Sequence, residues 1–99
     1  MKQLNILVLG RHVQIMETVL RLINSQPEWK AEGSLTDTDA KIKFNSTDFD
    51  LVLIGGGVEE KSEKELSVVF KEKKPSVKII RHYGGGSGLL FNEIEEAIS

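Results

Sequence analysis

Two basic pairs and two runs of glycine carry most of the chemical potential of this 99-residue chain. Arg11-His12 and Gly55-Gly56-Gly57 each follow a short apolar run, as does Arg81-His82; Gly84-Gly85-Gly86-Ser87-Gly88 comes soon after. Guanidinium groups bind phosphate and carboxylate bidentately, and glycine N–H groups cradle anions, above all at a helix N-terminus. On this chemistry Arg11, His12, Gly55, Gly56, Gly57, Arg81, His82, Gly84 and Gly85 form a candidate site for an anionic ligand such as a phosphate or nucleotide. Each also has a plainer structural reading. The basic pairs are solvated edge residues, the Gly55 run is a loop or tight turn using positive φ and close backbone approach, and the Gly84 run carries the chain across the end of a sheet. The Gly84 run is neither a dinucleotide fingerprint nor a phosphate-binding P-loop, since Leu90 and Phe91 stand where Lys and Ser/Thr are needed. His12 and His82 alone do not make a metal site. Ser34, Ser62, Ser67 and Ser87 read as turn or cap residues, and no nucleophile stands beside a base. No catalytic residue, metal or cofactor is expected.

What must position these residues is a sheet. Ile6-Leu7-Val8-Leu9 and Leu51-Val52-Leu53-Ile54 are continuous apolar runs, the pattern of strands buried on both faces. Trp29 to Leu35 is a more polar strand suited to an edge, with Trp29 partly buried where it begins, and Val77 to Ile80 is the last strand. Between them the period becomes helical. Val13, Met16, Val19, Leu20 and Ile23 share a stripe that ends before Pro27. Thr36 to Asn45 reads as a short helix, with Thr36 or Thr38 as its cap and Ala40 and Phe44 inward. Glu59-Glu60 opens a third helix, Ser62 with Glu65 fits a capping box, and Leu66, Val69 and Phe70 face inward up to Pro75. Lys71-Glu72-Lys73-Lys74 reads as its solvated end. After the glycines, Leu90, Phe91, Ile94, Ala97 and Ile98 fall on one arc of a helix from about Leu89. The rival is a hairpin in which Leu89 to Phe91 folds back on the preceding strand. Strands alternating with helices predict a three-layer, doubly wound parallel α/β sheet, which gathers all four candidate segments at its carboxyl edge.

Composition narrows the field. Thirteen Lys plus Arg against fifteen Asp plus Glu leave a net charge of −2, which argues against a nucleic-acid binder. The absence of cysteine removes disulfides and thiolate chemistry. No apolar stretch approaches the ~20 residues of a membrane span. Lys2 and Asn5 flank a short apolar run with no small-residue cleavage site after it. A single cytoplasmic domain over residues 1–99 is the expectation.

The stretch from Ile6 to Ile54 resembles a response-regulator receiver domain. The run LRLINSQPEWKAEGSLTDTDA, from Leu20 to Ala40, is similar to that family's first helix, second strand and start of the second helix. DLVLI at Asp50 to Ile54 resembles its third strand, and GGSGLL and EIEEAI resemble its last strand and helix. The resemblance implies a flavodoxin-like fold and a signalling role. It also implies which residues have changed. Gly10 and Arg11 occupy the positions of the family's metal-binding acids, and Gly55 that of its phosphoacceptor aspartate. Asn92 is the nearest match to its conserved lysine, and the switch Ser/Thr falls near Arg81 or His82. On that basis this is a degenerate receiver, a non-catalytic module for interaction with proteins. The chain is also shorter by a helix and a strand, reducing the sheet to about four strands in the order 2-1-3-4. Its fourth strand becomes an exposed edge through which a protein partner, including a second copy, would pair, although Lys78 opposes pairing.

Overall fold

The computed structural model describes residues 3–82 and 87–98. Among these residues four strands alternate with four helices: β1 (Leu4–Leu9), α1 (Val13–Asn24), β2 (Trp29–Ser34), α2 (Asp37–Ser46), β3 (Leu51–Ile54), α3 (Glu60–Lys73), β4 (Lys78–Arg81) and α4 (Ser87–Ile98). The strands form one parallel sheet in the order β2-β1-β3-β4. From β1 the chain moves outward to β2, then back across to β3 and on to β4. With crossovers of one hand, that reversal puts α1 on one face and α2 with α3 on the other. The contacts follow this rule, and α4 returns to the face of α1.

The period-2 geometry of a strand divides the apolar runs between the two layers. Leu7 and Leu9 of β1 and Val52 and Ile54 of β3 point toward α2 and α3, joining Ala40, Phe44, Phe49, Leu66 and Phe70. Ile6, Val8, Leu51 and Leu53 point the other way, joining Met16, Ile23, Leu90 and Ile94. Both central strands are covered on both faces, which is why their sequences are apolar without alternation.

Helix starts follow their capping chemistry. The Thr36 side chain accepts from Asp39 N–H at 3.1 Å, and Asp37 and Asp39 place negative charge in the first turn of α2. α3 begins at Glu60 after an extended Glu59, so Ser62 and Glu65 lie inside the helix and form no capping box. The acids Glu60 and Glu63 favour that earlier start through the helix dipole. Val77 is fully buried and its N–H donates to Lys74 C=O in a turn, which moves β4 one residue on from the expected strand. The C-terminal segment is the helix and not the hairpin, with Leu90 and Ile94 buried. Two surface readings change. Val13 is 55% exposed in the first turn of α1 and does not join the inward stripe. Lys74 is no solvated helix end, because its Nζ binds Asp48 Oδ1 at 2.6 Å and Phe49 C=O at 2.8 Å across the amino edge.

Candidate functional site

The carboxyl ends of β1, β3 and β4 lie side by side, and the candidate residues that the structure describes sit at these ends or just beyond them. Gly10 N–H donates to Ser34 C=O at 3.0 Å, which continues β1 alongside β2 and delivers Arg11 to the middle of this edge. Each nitrogen of the Arg11 guanidinium is engaged there. Its Nη2 donates to Asp37 Oδ1 at 2.7 Å, its Nη1 to Leu35 C=O at 3.0 Å and its Nε to Glu59 Oε1 at 3.0 Å. One side chain therefore ties the start of α1 to the loops that follow β2 and β3.

The titration of these groups reflects that arrangement. The hydrogen bond to Asp37 holds Arg11 charged above its ordinary range; partial burial opposes this, and Glu59 adds to it. Burial pushes the Asp37 carboxyl upward, but hydrogen bonds from Arg11 and Ser62 and the charges of Arg11 and Lys41 outweigh it, leaving Asp37 below its usual value. Glu59 is also lowered, by its own backbone N–H and then by Arg11.

Arg81 plays the same part on the far side of β3. Its Nη1 pairs with Glu63 Oε1, and its Nη2 donates to Val58 C=O at 2.6 Å and Gly56 C=O at 3.3 Å. His82 continues β4, its N–H donating to Ile54 C=O at 2.8 Å, and its Nδ1 lies 2.5 Å from Glu93 Oε1 on α4. The His12 ring packs against Gly57, where an added Cβ would lie 3.4 Å from its nearest carbon. Arg11 and His12 thus flank the Gly55–Gly57 loop on one side, Arg81 and His82 on the other. Gly84 and Gly85 lie outside the described residues.

The glycines serve close approach and not unusual backbone angles, for none of Gly55, Gly56 and Gly57 has a positive φ. Gly55 N–H donates to Leu9 C=O at 2.8 Å, and a Cβ at residue 55 would sit 3.1 Å from that oxygen. Between this loop, β1 and α1 opens a cavity of about 500 Å³. Its walls are largely apolar, with Ile15, Met16, Val19, Leu22, Leu53 and Leu90 among them. Arg11, His12, Gly55, Gly56, Gly57 and His82 also line it. It lies where the chain's path reverses beside β1, the position at which open α/β sheets take ligands. Among the described residues no three His, Asp or Glu side chains are grouped to hold a metal ion. No helix among them is long and apolar enough to cross a membrane.

The basic residues were found from the sequence, but their acids were not singled out as site residues. Asp37, Glu59, Glu63 and Glu93 all stand within a turn or so of a strand's carboxyl end or on α4. The topological argument that gathers Arg11 and Arg81 at this edge gathers these carboxylates too.

No family model and no curated protein matches the chain. Among solved structures, it is similar to a signal receiver domain of an HD domain-containing protein from Pseudomonas fluorescens Pf-5. The TM-score is 0.71 over 98% of this chain and 95% of that one, at 10% identity. At that identity the likeness is one of fold. The chain has a flavodoxin-like, receiver-like fold with a four-stranded sheet.

Proposed function

We propose that this chain is a signalling module of receiver type that works through protein contacts and carries out no phosphoryl transfer. The observation that carries this reading is the Arg11 clamp. Receivers bind a divalent cation with acids at the end of the first strand, and here Gly10 offers no side chain while Arg11 brings a fixed positive charge already neutralised by Asp37 and Glu59. Mg²⁺ needs carboxylate or other oxygen donors at that point, so the residues present do not fit it. Gly55, in the phosphoacceptor position, supplies no nucleophile, and even a Cβ there would press on Leu9 C=O. The same clamps tie the loops after β1, β2 and β3 into one rigid surface, which suits recognition by a partner. The test is incubation with acetyl phosphate and Mg²⁺, followed by intact-mass analysis. The unmodified mass is expected, and a stable added phosphoryl group on an aspartate would overturn the reading.

The cavity supports a second reading, that the carboxyl edge holds a small ligand with an anionic group. Its volume of about 500 Å³ falls within the roughly 300–1,000 Å³ typical of ligand pockets. Because Arg11 and Arg81 already hold carboxylates, and because the walls are apolar, the ligand would join an apolar body to its charge. A thermal-shift series with phosphate, nucleotides, beryllofluoride and Mg²⁺ tests this. A saturating ligand at a hundred times its Kd adds about 2.7 kcal/mol. A shift with a nucleotide but not with phosphate supports this reading, and no shift with any of them removes it for these ligands.

A further inference from the structure

The two outer edges of the sheet are finished in opposite ways. On β2 the even-numbered residues bond toward β1, so Trp29, Ala31 and Gly33 turn their N–H and C=O groups outward. The chain answers four of these six groups itself. Trp29 N–H donates to Gln26 C=O at 3.1 Å. Asn24 accepts from Ala31 N–H at 2.8 Å and donates to Ala31 C=O at 3.3 Å, replacing a neighbouring strand with one side chain. Gly33 C=O accepts from Lys43 Nζ. With both groups of its middle residue taken, this edge offers no continuous ladder to a further strand.

On β4, the N–H groups of Lys78 and His82 donate to Asp50 C=O and Ile54 C=O at 3.1 and 2.8 Å. The alternation therefore turns Ile79 N–H and C=O outward, and among the described residues no group bonds to them. The side chains around that open position are half-buried. Ile79 leans on the α2/α3 core and Ile80 on the α1/α4 core, so each core runs out at this strand. A further strand here would extend both at once.

We propose that the occupant of this edge is β4 of a second copy of the chain, antiparallel to the first about a two-fold axis at Ile79, so that the two Ile79 residues exchange their N–H and C=O groups. The charges select a copy of the chain over an unrelated extended peptide. Lys78, exposed at the start of β4, lies on the same face as Ile80 and His82. Antiparallel pairing sets it opposite Ile80 of the other β4 and diagonal to His82, which meets Glu93, a separation a lysine side chain spans. The charged residues of α4 are all acidic, Glu93, Glu95 and Glu96. Symmetry makes the Lys78–Glu93 encounter twice. Lys78, which on an isolated strand opposes edge pairing, thus becomes the residue that chooses the partner. The inference names the partner in the protein-contact reading above. It stands apart from the phosphorylation test, whose outcome does not depend on oligomeric state.

Sedimentation velocity from micromolar to millimolar protein, with amide hydrogen exchange at both ends of that range, tests it. The expected result is a monomer–dimer equilibrium in which Ile79 N–H gains protection as dimer forms, while Ala31 N–H is protected throughout. Ile79→Pro removes one outward donor at an edge position that tolerates proline and leaves a monomer. Lys78→Glu weakens dimerisation about tenfold and Lys78→Glu with Glu93→Lys restores it. A monomer at every concentration, or a dimer whose Ile79 amide exchanges freely, overturns the proposal. So does a dimer indifferent to both charge variants, which would point to other contacts. If Ile79→Pro fails to fold, the exchange data and charge swap decide the matter.

Discussion

The two faces of the sheet are packed from the same four strands but by different means. On the α2/α3 face, Phe44 stacks on Phe70 with ring centroids 4.3 Å apart, and Phe49 lies 6.2 Å beyond Phe44. All three rings are 7% exposed or less. The α1/α4 face has an aliphatic interior, and its aromatic pair, Trp29 with Phe91 at 5.9 Å, lies among half-buried residues. There Met16 is wedged against two glycines: a Cβ at Gly33 would come within 2.5 Å of its Sδ, and one at Gly10 within 3.1 Å of its methyl carbon. The cavity opens beside that methionine. Stacked rings are directional and fill space efficiently, whereas a flexible thioether fills irregular space and can rearrange. The difference separates a face that carries stability from a face with room to adapt.

Truncation on each face measures that separation. Phe70→Ala, which removes the ring stacked on Phe44, is expected to lower unfolding free energy by about 3–5 kcal/mol. Leu90→Ala, equally buried but bordering open volume, is expected at the low end for its class, about 2 kcal/mol. Urea denaturation of both variants supplies the comparison. A Leu90→Ala loss as large as that of Phe70→Ala would mean the α1/α4 face is the more tightly packed of the two.

How much of this was legible in the sequence depended on how local the cause was. The central strands could be read because burial on both faces demands apolar runs, and Leu51 to Ile54 matches β3 at both ends. The sheet order followed from the receiver-like arrangement of elements, and α4 from the single arc containing Leu90 and Ile94. Val13 misled because helical periodicity cannot tell whether a first turn has anything packed over it. Ser62 misled because a capping-box pattern also occurs inside a helix, and here its hydroxyl serves Asp37. The placement of Arg11, Asp37 and Glu59 at the carboxyl edge was foreseeable from the topology, but which acids the guanidinium takes was not. Asp37 and Glu59 lie 26 and 48 residues away in sequence, and only the closed sheet brings them to one guanidinium. Lys74 is the same lesson at the opposite edge: a lysine-rich helix end looked solvated until the start of β3 supplied its acceptors.

The smallest expected effect concerns the Arg11 clamp, and its pH dependence separates a structural tie from an idle surface pair. Arg11 and Asp37 are 21% and 30% exposed at their side chains, so part of their attraction is screened by water. Arg11→Met is therefore expected to cost about 1–2 kcal/mol near neutral pH, less than either core truncation. The Asp37 carboxyl titrates below its usual range in the folded chain. Its contribution is thus complete above the unfolded value of about 4 and disappears as pH falls through the lower folded value. Urea midpoints of the parent and Arg11→Met proteins should differ at pH 7 and converge as pH falls below about 4. A gap that stays constant into strong acid would mean that Arg11 stabilises the edge through packing and its bond to Leu35 C=O. The three loops would then be joined by shape and not by charge.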